Sequence, residues 1–233
     1  MARAAFGLAA ALALAPVPAS ACGLELILAI DVSGSINARE YALQVGGLAD
    51  AFDHPSLHDA VASVPGGVLV TMTQWSGGSR QRHMTDWHKI AEPAETSAYA
   101  EVIRTTPRAW RNFSTAIGEA LVHAGQVSQT APEACMRKVI DVSGDGVSNE
   151  GRSPRPEADR LANRGYTING LVIRGADPDP VEHYDREVIA GPGAFVEVAE
   201  GFVDYPRAIL KKLLREIERP MFVSEAEADA ELR

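Results

Sequence analysis

Two short polar segments follow apolar runs of the chain, and both carry residues that can bind a hard metal ion. The segment DVSGS supplies Asp31, Ser33 and Ser35 after the run LILAI, and the segment SGDGVSN supplies Asp145 after a second run. Carboxylate and hydroxyl oxygens suit Mg²⁺, which prefers octahedral oxygen coordination. Because Gly34 lets the backbone fold back, the first segment can present three oxygen donors within one tight turn. The two segments therefore predict a divalent-cation site.

A third segment, NFSTAIGEAL, offers the hydroxyl of Thr115 at the start of a predicted helix. On its own this is a weak signal, because Ser and Thr at a helix start commonly serve as caps. Asp141 lies inside the second apolar run, so its side chain is expected in the packing of the sheet and outside the site. Together the three segments predict one metal site with five ligands: Asp31, Ser33, Ser35, Thr115 and Asp145.

Apolar runs of strand length recur along the chain and are continuous, which is typical of strands covered on both faces of a parallel sheet. They span residues 24–31, 67–76, 137–143, 166–173 and 194–200. Segments with helical spacing lie between or after them, at 37–52, 114–129, 153–165 and 204–219. This alternation predicts an α/β fold with helices on both faces of the sheet. In such sheets ligands bind beyond the carboxyl ends of the strands, where the polar segments lie.

The N-terminal residues 1–21 have the layout of a secretory signal peptide. Arg3 precedes an apolar run, and small residues stand at Ala19 and Ala21. The run from Ala4 to Ala15 is shorter than the roughly 20 residues that span a bilayer. The sequence therefore predicts export to the periplasm or the extracellular space.

The mature chain is expected to form a single domain over residues 22–220, followed by an acidic tail at 221–233 that frays. The formal net charge is -9, and loss of Arg3 makes it -10. An acidic protein repels the phosphates of nucleic acid, so a nucleic-acid partner is excluded. No segment after residue 21 is long and apolar enough to cross a membrane.

The sequence contains two cysteines, Cys22 and Cys135, and export permits a disulfide between them. Each precedes a predicted strand by a few residues, so both fall at the same end of the sheet if those strands are parallel neighbours. We therefore expect a Cys22–Cys135 disulfide. Lipid attachment to Cys22 is the alternative, although Ala19 stands where a lipoprotein signal normally has Leu.

The segments DVSGSI, STAIGEAL and SGDGVSN, in this order, resemble the von Willebrand factor type A (vWA) domain with its metal-ion-dependent adhesion site. The resemblance implies a doubly wound, mostly parallel six-stranded sheet of order 3-2-1-4-5-6, with one antiparallel edge strand that residues 80–87 would form. It also implies Mg²⁺, or alternatively Mn²⁺ or Ca²⁺, held by the five ligands named above, Asp145 through water. More narrowly, the chain resembles an uncharacterised family of exported bacterial proteins that carry only this domain.

One position departs from the wider family's pattern. Many members have Thr before the last Asp, whereas this chain has Gly144. The missing hydroxyl predicts looser contacts around the metal ligands.

These features predict a binding protein, not an enzyme, in which an Asp or Glu of a protein partner completes the coordination of the ion. A phosphatase of the haloacid dehalogenase type needs a second acid where this chain has Ser33, and a GxSxG nucleophile elbow needs Gly at Asp141. A passive envelope protein, in which the metal only stabilises the fold, is the second alternative. Only the binding protein is expected to capture a partner in a way that depends on the ion.

Overall fold

The computed structural model describes residues 22–218, so the predicted signal peptide and the acidic tail at 221–233 lie outside the described residues. The strands are β1 (Cys22–Asp31), β2 (Val68–Trp75), β3 (Gln81–His83), β4 (His88–Ile90), β5 (Cys135–Gly144), β6 (Tyr166–Ile173) and β7 (Val196–Ala199). The helices are α1 (Ala38–Phe52), α2 (Pro55–Ala62), α3 (Pro93–Thr105), α4 (Ile117–Ser128), α5 (Pro154–Ala162), α6 (Val181–His183), which continues into a π-helical turn (Tyr184–Val188), and α7 (Tyr205–Ile217). None of the helices in this range is long and apolar enough to span a membrane.

The strands form one sheet of order β3-β2-β1-β5-β6-β7. Strands β2, β1, β5, β6 and β7 pair in parallel, while β3 and β4 both pair antiparallel with β2. The doubly wound, mostly parallel sheet and its order are therefore confirmed. The sheet contains one strand more than the predicted six, because the eight-residue β2 leaves room on its free edge for two short antiparallel strands. Strand β3 covers Thr73–Trp75 and β4 covers Val68–Val70.

Besides the three-residue α6, two longer helices have no counterpart in the predicted set, namely α2 and α3. Each begins with a proline, Pro55 or Pro93, at the first helical position, where the absent N–H is not needed. Helix α4 begins at Ile117, so Thr115 lies in the loop before it and not in its first turn. Loop partners bind the backbone of Thr115, as described below.

The central strands are buried on both faces, which explains their continuous apolar runs. On β1, Leu26 and Leu28 pack with helices α1, α2, α3 and α7, while Ile27 and Ala29 pack with α4 and α5. Residues Ile30 and Ser143 are register partners at the carboxyl ends of β1 and β5. The polar segments after these two strands are therefore neighbours in space.

A disulfide joins Cys22 and Cys135 at the opposite end of the same two strands. The two residues are register partners, with their Cα atoms 4.4 Å apart. The bridge ties together residues 113 positions apart in the sequence, as the sequence analysis expects.

Candidate metal site

The turn after β1 presents its three polar side chains together. Asp31 is buried, and its Oδ1 accepts a hydrogen bond of 2.7 Å from the backbone N–H of Ser33. The hydroxyls of Ser33 and Ser35 lie 3.2 Å apart. The second carboxylate oxygen of Asp31, Oδ2, has no hydrogen-bond partner among the described residues. The turn thus leaves a buried carboxylate oxygen free beside two hydroxyls.

Asp145 follows the end of β5 and reaches the same turn. The hydroxyl of Ser35 donates a hydrogen bond of 2.7 Å to Asp145 Oδ1, which links positions 110 residues apart. Asp145 is buried, with 7% of its surface exposed. Four of the five predicted ligands therefore form one connected group.

Thr115 is attached to the loop that follows Asp145. Its backbone N–H donates to Asn149 Oδ1 at 2.9 Å, and its carbonyl accepts from the N–H of Asn149 at 2.8 Å. The Thr115 hydroxyl makes no hydrogen bond to the other four predicted ligands, all of which are described. The sequence analysis did not single out Asn149, although it lies in the quoted segment SGDGVSN.

A third loop, residues 106–116, closes over the turn after β1. The N–H of Gly34 donates to the carbonyl of Phe113 at 2.7 Å, and Arg108 Nη2 donates to the carbonyls of Val32 and Ser33 at 3.0 and 2.8 Å. A Cβ at Gly34 would lie 3.1 Å from the Phe113 carbonyl oxygen, so glycine is what permits this close approach. The sequence analysis missed Arg108, which stabilises the turn through its backbone.

The nearby charge of Arg108 only partly offsets the cost of burying the two acids. Burial, followed by the charge of Asp145, raises the pKa of Asp31 to about 8, and burial raises the pKa of Asp145. Within residues 22–218 neither acid forms an ion pair, and the nearby Arg108 donates its hydrogen bonds to carbonyls. Two adjacent buried carboxylates without a cation are unfavourable, and a divalent cation would relieve this cost.

The available donors fit a hard cation. No group of three or more His, Cys, Asp or Glu side chains in the described range is arranged to hold a metal. The site instead offers two carboxylates with the hydroxyls of Ser33, Ser35 and Thr115. Oxygen donors of this kind suit Mg²⁺, Mn²⁺ or Ca²⁺ better than a soft metal.

An open cleft lies directly over the site. Its lining residues are Gly34, Ser35, Phe113, Thr115, Asn149 and Glu150. A second cleft begins at Ser35 and Asp145 and continues along Arg39, Leu43 and Phe202. Three of the predicted ligands, Ser35, Thr115 and Asp145, therefore line these clefts, while Asp31 and Ser33 are buried beneath them.

Asp141 points away from this site, as the sequence analysis predicts. Its Oδ1 pairs with Lys212 Nζ of α7 at 2.6 Å, on the other face of the sheet, and both side chains are fully buried. Lys212 also pairs with Glu216 at 2.7 Å, and Asn169 donates to Glu216 Oε1 at 2.8 Å. These four residues are named the Lys212 cluster below.

A family model described as "Protein of unknown function (DUF1194)" matches residues 21–221. No curated protein matches the chain.

Solved structures share the fold at low sequence identity. Proximal thread matrix protein 1 from the mussel byssus, solved with a zinc-occupied MIDAS motif, matches with a TM-score of 0.60 and 17% identity, over 84% of this chain and 46% of that one. A von Willebrand factor type A protein from Catenulispora acidiphila matches with a TM-score of 0.54 and 18% identity, over 85% and 42%. The vWF domain of the pilus tip protein Mfa5 from Porphyromonas gingivalis matches with a TM-score of 0.57 and 12% identity, over 89% and 100%. The chain spans about half the length of the mussel structures.

Proposed function

We propose that this chain, which belongs to the DUF1194 family and has the von Willebrand factor type A fold, binds a divalent cation and through it an acidic group of a protein partner. The observation that carries the proposal is the pair of buried carboxylates, Asp31 and Asp145, which have no ion pair in the described part of the chain. Three hydroxyls beside them provide further oxygen donors. The zinc-occupied MIDAS motif of the mussel protein supports a metal in this fold.

The proposed ligands are Asp31, Ser33, Ser35, Thr115 and Asp145, and the proposed ion is Mg²⁺, with Mn²⁺ or Ca²⁺ as substitutes. When bound, the ion supplies the positive charge that a partner's Asp or Glu needs, because the chain itself carries a net charge of -9. Ser35 holds Asp145 next to the turn of Asp31, and Arg108 holds the backbone of that turn. The open cleft above these residues gives a partner's side chain access.

We propose binding as the function in preference to catalysis. Ser33 stands where a phosphatase of the haloacid dehalogenase type would need its second acid, and the structural neighbours are mostly adhesion or pilin vWA domains. The pilus adhesin SpaC from Lactobacillus rhamnosus GG is among the fold neighbours. This fold resemblance supports a surface-exposed binding role.

We also propose that the protein acts outside the cytoplasm, in the periplasm or the extracellular space. The Cys22–Cys135 disulfide supports this, because such bridges persist in oxidising compartments. The bridge also argues against lipid attachment at Cys22, since one sulfur cannot be in a disulfide and carry a thioether-linked lipid.

The test is the titration of Mg²⁺ into the purified mature protein by calorimetry, followed by capture from envelope extract with Mg²⁺ or with EDTA. We expect saturable binding and a captured partner that EDTA releases. The Asp31→Ala variant should lose both, whereas Asp59→Ala, which changes an exposed acid on α2, should keep both.

Equal capture in Mg²⁺ and EDTA would contradict the proposed function. Metal binding without any ion-dependent partner would favour the passive envelope protein, in which the ion only stabilises the fold.

A further inference from the structure

Tyr184 is a buried residue whose hydroxyl has no evident function in packing. It lies in the π-helical turn after α6, and its side chain is fully buried. Its hydroxyl has no hydrogen-bond partner among the described residues. Buried tyrosine hydroxyls normally find a partner, so an unpartnered one indicates a missing group.

Gly144 leaves a space that Tyr184 and Asp31 share. A Cβ at Gly144 would lie 2.5 Å from the Tyr184 hydroxyl oxygen and 3.0 Å from Asp31 Oδ2. Asp31 Oδ2 is the carboxylate oxygen without a partner. The Tyr184 hydroxyl and Asp31 Oδ2 therefore lie on either side of the space left by the absent side chain of Gly144. One is a hydrogen-bond donor and the other an acceptor, and both are buried and unpartnered.

The surroundings hold the ring in this position. A Cβ at Gly170 of β6 would lie 2.7 Å from Cδ1 of Tyr184, so a second glycine makes room for the ring. The π-helical turn places Tyr184 over these two strands, and such turns occur frequently at functional sites. Burial and the negative charge of Asp31 raise the pKa of Tyr184 well above its usual value, so the phenol remains a donor.

We propose that Tyr184 is a positioning residue of the metal site: its hydroxyl donates to Asp31 Oδ2, directly or through one water, and holds that carboxylate for the ion. The hydroxyl thereby takes the place of the one that is missing at Gly144. The inference rests on the proposed function, since it concerns how the same metal site is organised. It also reverses the expectation that Gly144 loosens the site.

The first test is the affinity of the mature protein for Mn²⁺ alone, measured by calorimetry for wild type and Tyr184→Phe. We expect Tyr184→Phe to weaken Mn²⁺ binding by about 10-fold or more, as is typical when a group that orients a metal ligand is removed. The melting temperature in EDTA should fall by only a few degrees, because at most one hydrogen bond is lost. The matched control is Tyr205→Phe, which removes another fully buried, unpartnered hydroxyl, on α7, and should leave Mn²⁺ affinity unchanged.

The second test moves the hydroxyl from position 184 to position 144. Gly144→Thr alone should clash with the Tyr184 hydroxyl and weaken Mn²⁺ binding or folding. Combined with Tyr184→Phe, the clash is removed and a hydroxyl returns, so the double variant should bind Mn²⁺ more tightly than Tyr184→Phe.

Mn²⁺ affinity of Tyr184→Phe within two-fold of wild type would overturn the inference and leave the proposed function intact. A wild-type protein that does not bind Mn²⁺ would instead contradict the proposed function itself. A Tyr184→Phe variant that loses stability in EDTA while keeping its affinity would assign the hydroxyl to the fold and also overturn the inference.

Discussion

Two pairs of buried acids in the described part of the chain differ in whether a cation lies between them. Asp141 and Glu216 lie on either side of Lys212, at 2.6 and 2.7 Å from its amino group. Asp31 and Asp145 lie at the carboxyl ends of β1 and β5 and have no ion pair within the described residues. Asp141 and Glu216 lie on the face of the sheet that α7 covers, whereas Asp31 and Asp145 lie at the carboxyl edge of the sheet.

This difference is why we propose an external ion at only one of the two pairs. The Lys212 cluster contains its own cation: its lysine is fully buried between the two acids, and Asn169 donates a hydrogen bond to Glu216. The pair of Asp31 and Asp145 forms no ion pair within the described residues, and Asp145 lines a cleft that opens to solvent. A buried pair of acids with no cation is stable only if protons or a metal ion neutralise it. This contrast can be tested by changing one member of each pair.

The largest effect is expected from Lys212→Met, which removes the cation between two buried acids. The free energy of unfolding should fall by about 3–5 kcal/mol, because uncompensated buried charge remains. Chemical unfolding in EDTA measures this loss. The control Lys89→Met breaks an exposed ion pair with Glu133 and should cost less than about 1 kcal/mol. A Lys212→Met variant as stable as the control would contradict the structural role of the cluster.

Removing one acid of each pair should separate the pairs by their response to metal. At a Mg²⁺ concentration of about 100 times Kd, the wild type should gain about 2.7 kcal/mol of unfolding free energy. Asp31→Asn should gain none, since it removes a ligand carboxylate, whereas Asp141→Asn should keep the gain. Thermal unfolding with Mg²⁺ and with EDTA measures both gains. Loss of the gain in Asp141→Asn would show that the two pairs do not act separately.

The Lys212 cluster should also respond to pH. Burial raises the pKa of Glu216 from its usual 4.5 to about 7, against the opposing effect of Lys212. Because the pKa of Glu216 is higher in the folded than in the unfolded chain, proton binding by Glu216 stabilises the fold. This contribution to the free energy of unfolding is fully present below about pH 4.5 and is lost as the pH rises through about 7. We expect a loss on the order of 2 kcal/mol across that interval in EDTA.

In Glu216→Gln this decline should be smaller, because the amide does not ionise. Urea unfolding of both proteins at several pH values provides the measurement. An equal decline in both would assign the pH dependence to other groups.

The smallest effect is expected from Ser35→Ala, which removes the hydrogen bond to Asp145. The side chain is exposed, so stability in EDTA should fall by only about 1 kcal/mol or less. Mg²⁺ affinity should fall as well, because Ser35 is a proposed ligand. The control Ser79→Ala changes an exposed serine away from both pairs and should alter neither quantity. An unchanged Mg²⁺ affinity in Ser35→Ala would remove this hydroxyl from the proposed ligands.

Much of the fold was predictable because strands that are buried on both faces have continuous apolar sequences. Strand β6 lies at residues 166–173, as its apolar run predicts, and α1 follows its predicted cap, Asn37, which accepts hydrogen bonds from the first turn. Strand β4 and helices α2, α3 and α6 were not predicted. Strand β4 and helix α6 have three residues each, too few for a periodic signal, and α2 and α3 begin at prolines.

The proximity of four proposed ligands could be predicted from the sequence, whereas the residues that support them could not. Four of the proposed ligands lie in two segments that follow strand ends: Asp31, Ser33, Ser35 and Asp145. These segments meet because β1 and β5 are neighbours. Arg108 and Tyr184 leave no such signal. Each acts on the site from a distant segment, so only the folded backbone brings it there.

The sequence by itself determined which residues offer oxygen donors and which ends of which strands they follow. These are local properties, set by residue type, spacing and the burial of each strand. Only the tertiary structure decided which acids have a cation within reach, since Lys212 lies 71 positions beyond Asp141 in the sequence and meets it across the sheet. The same holds for Tyr184, whose hydroxyl reaches the space beside Asp31 because Gly144 and Gly170 have no side chains there.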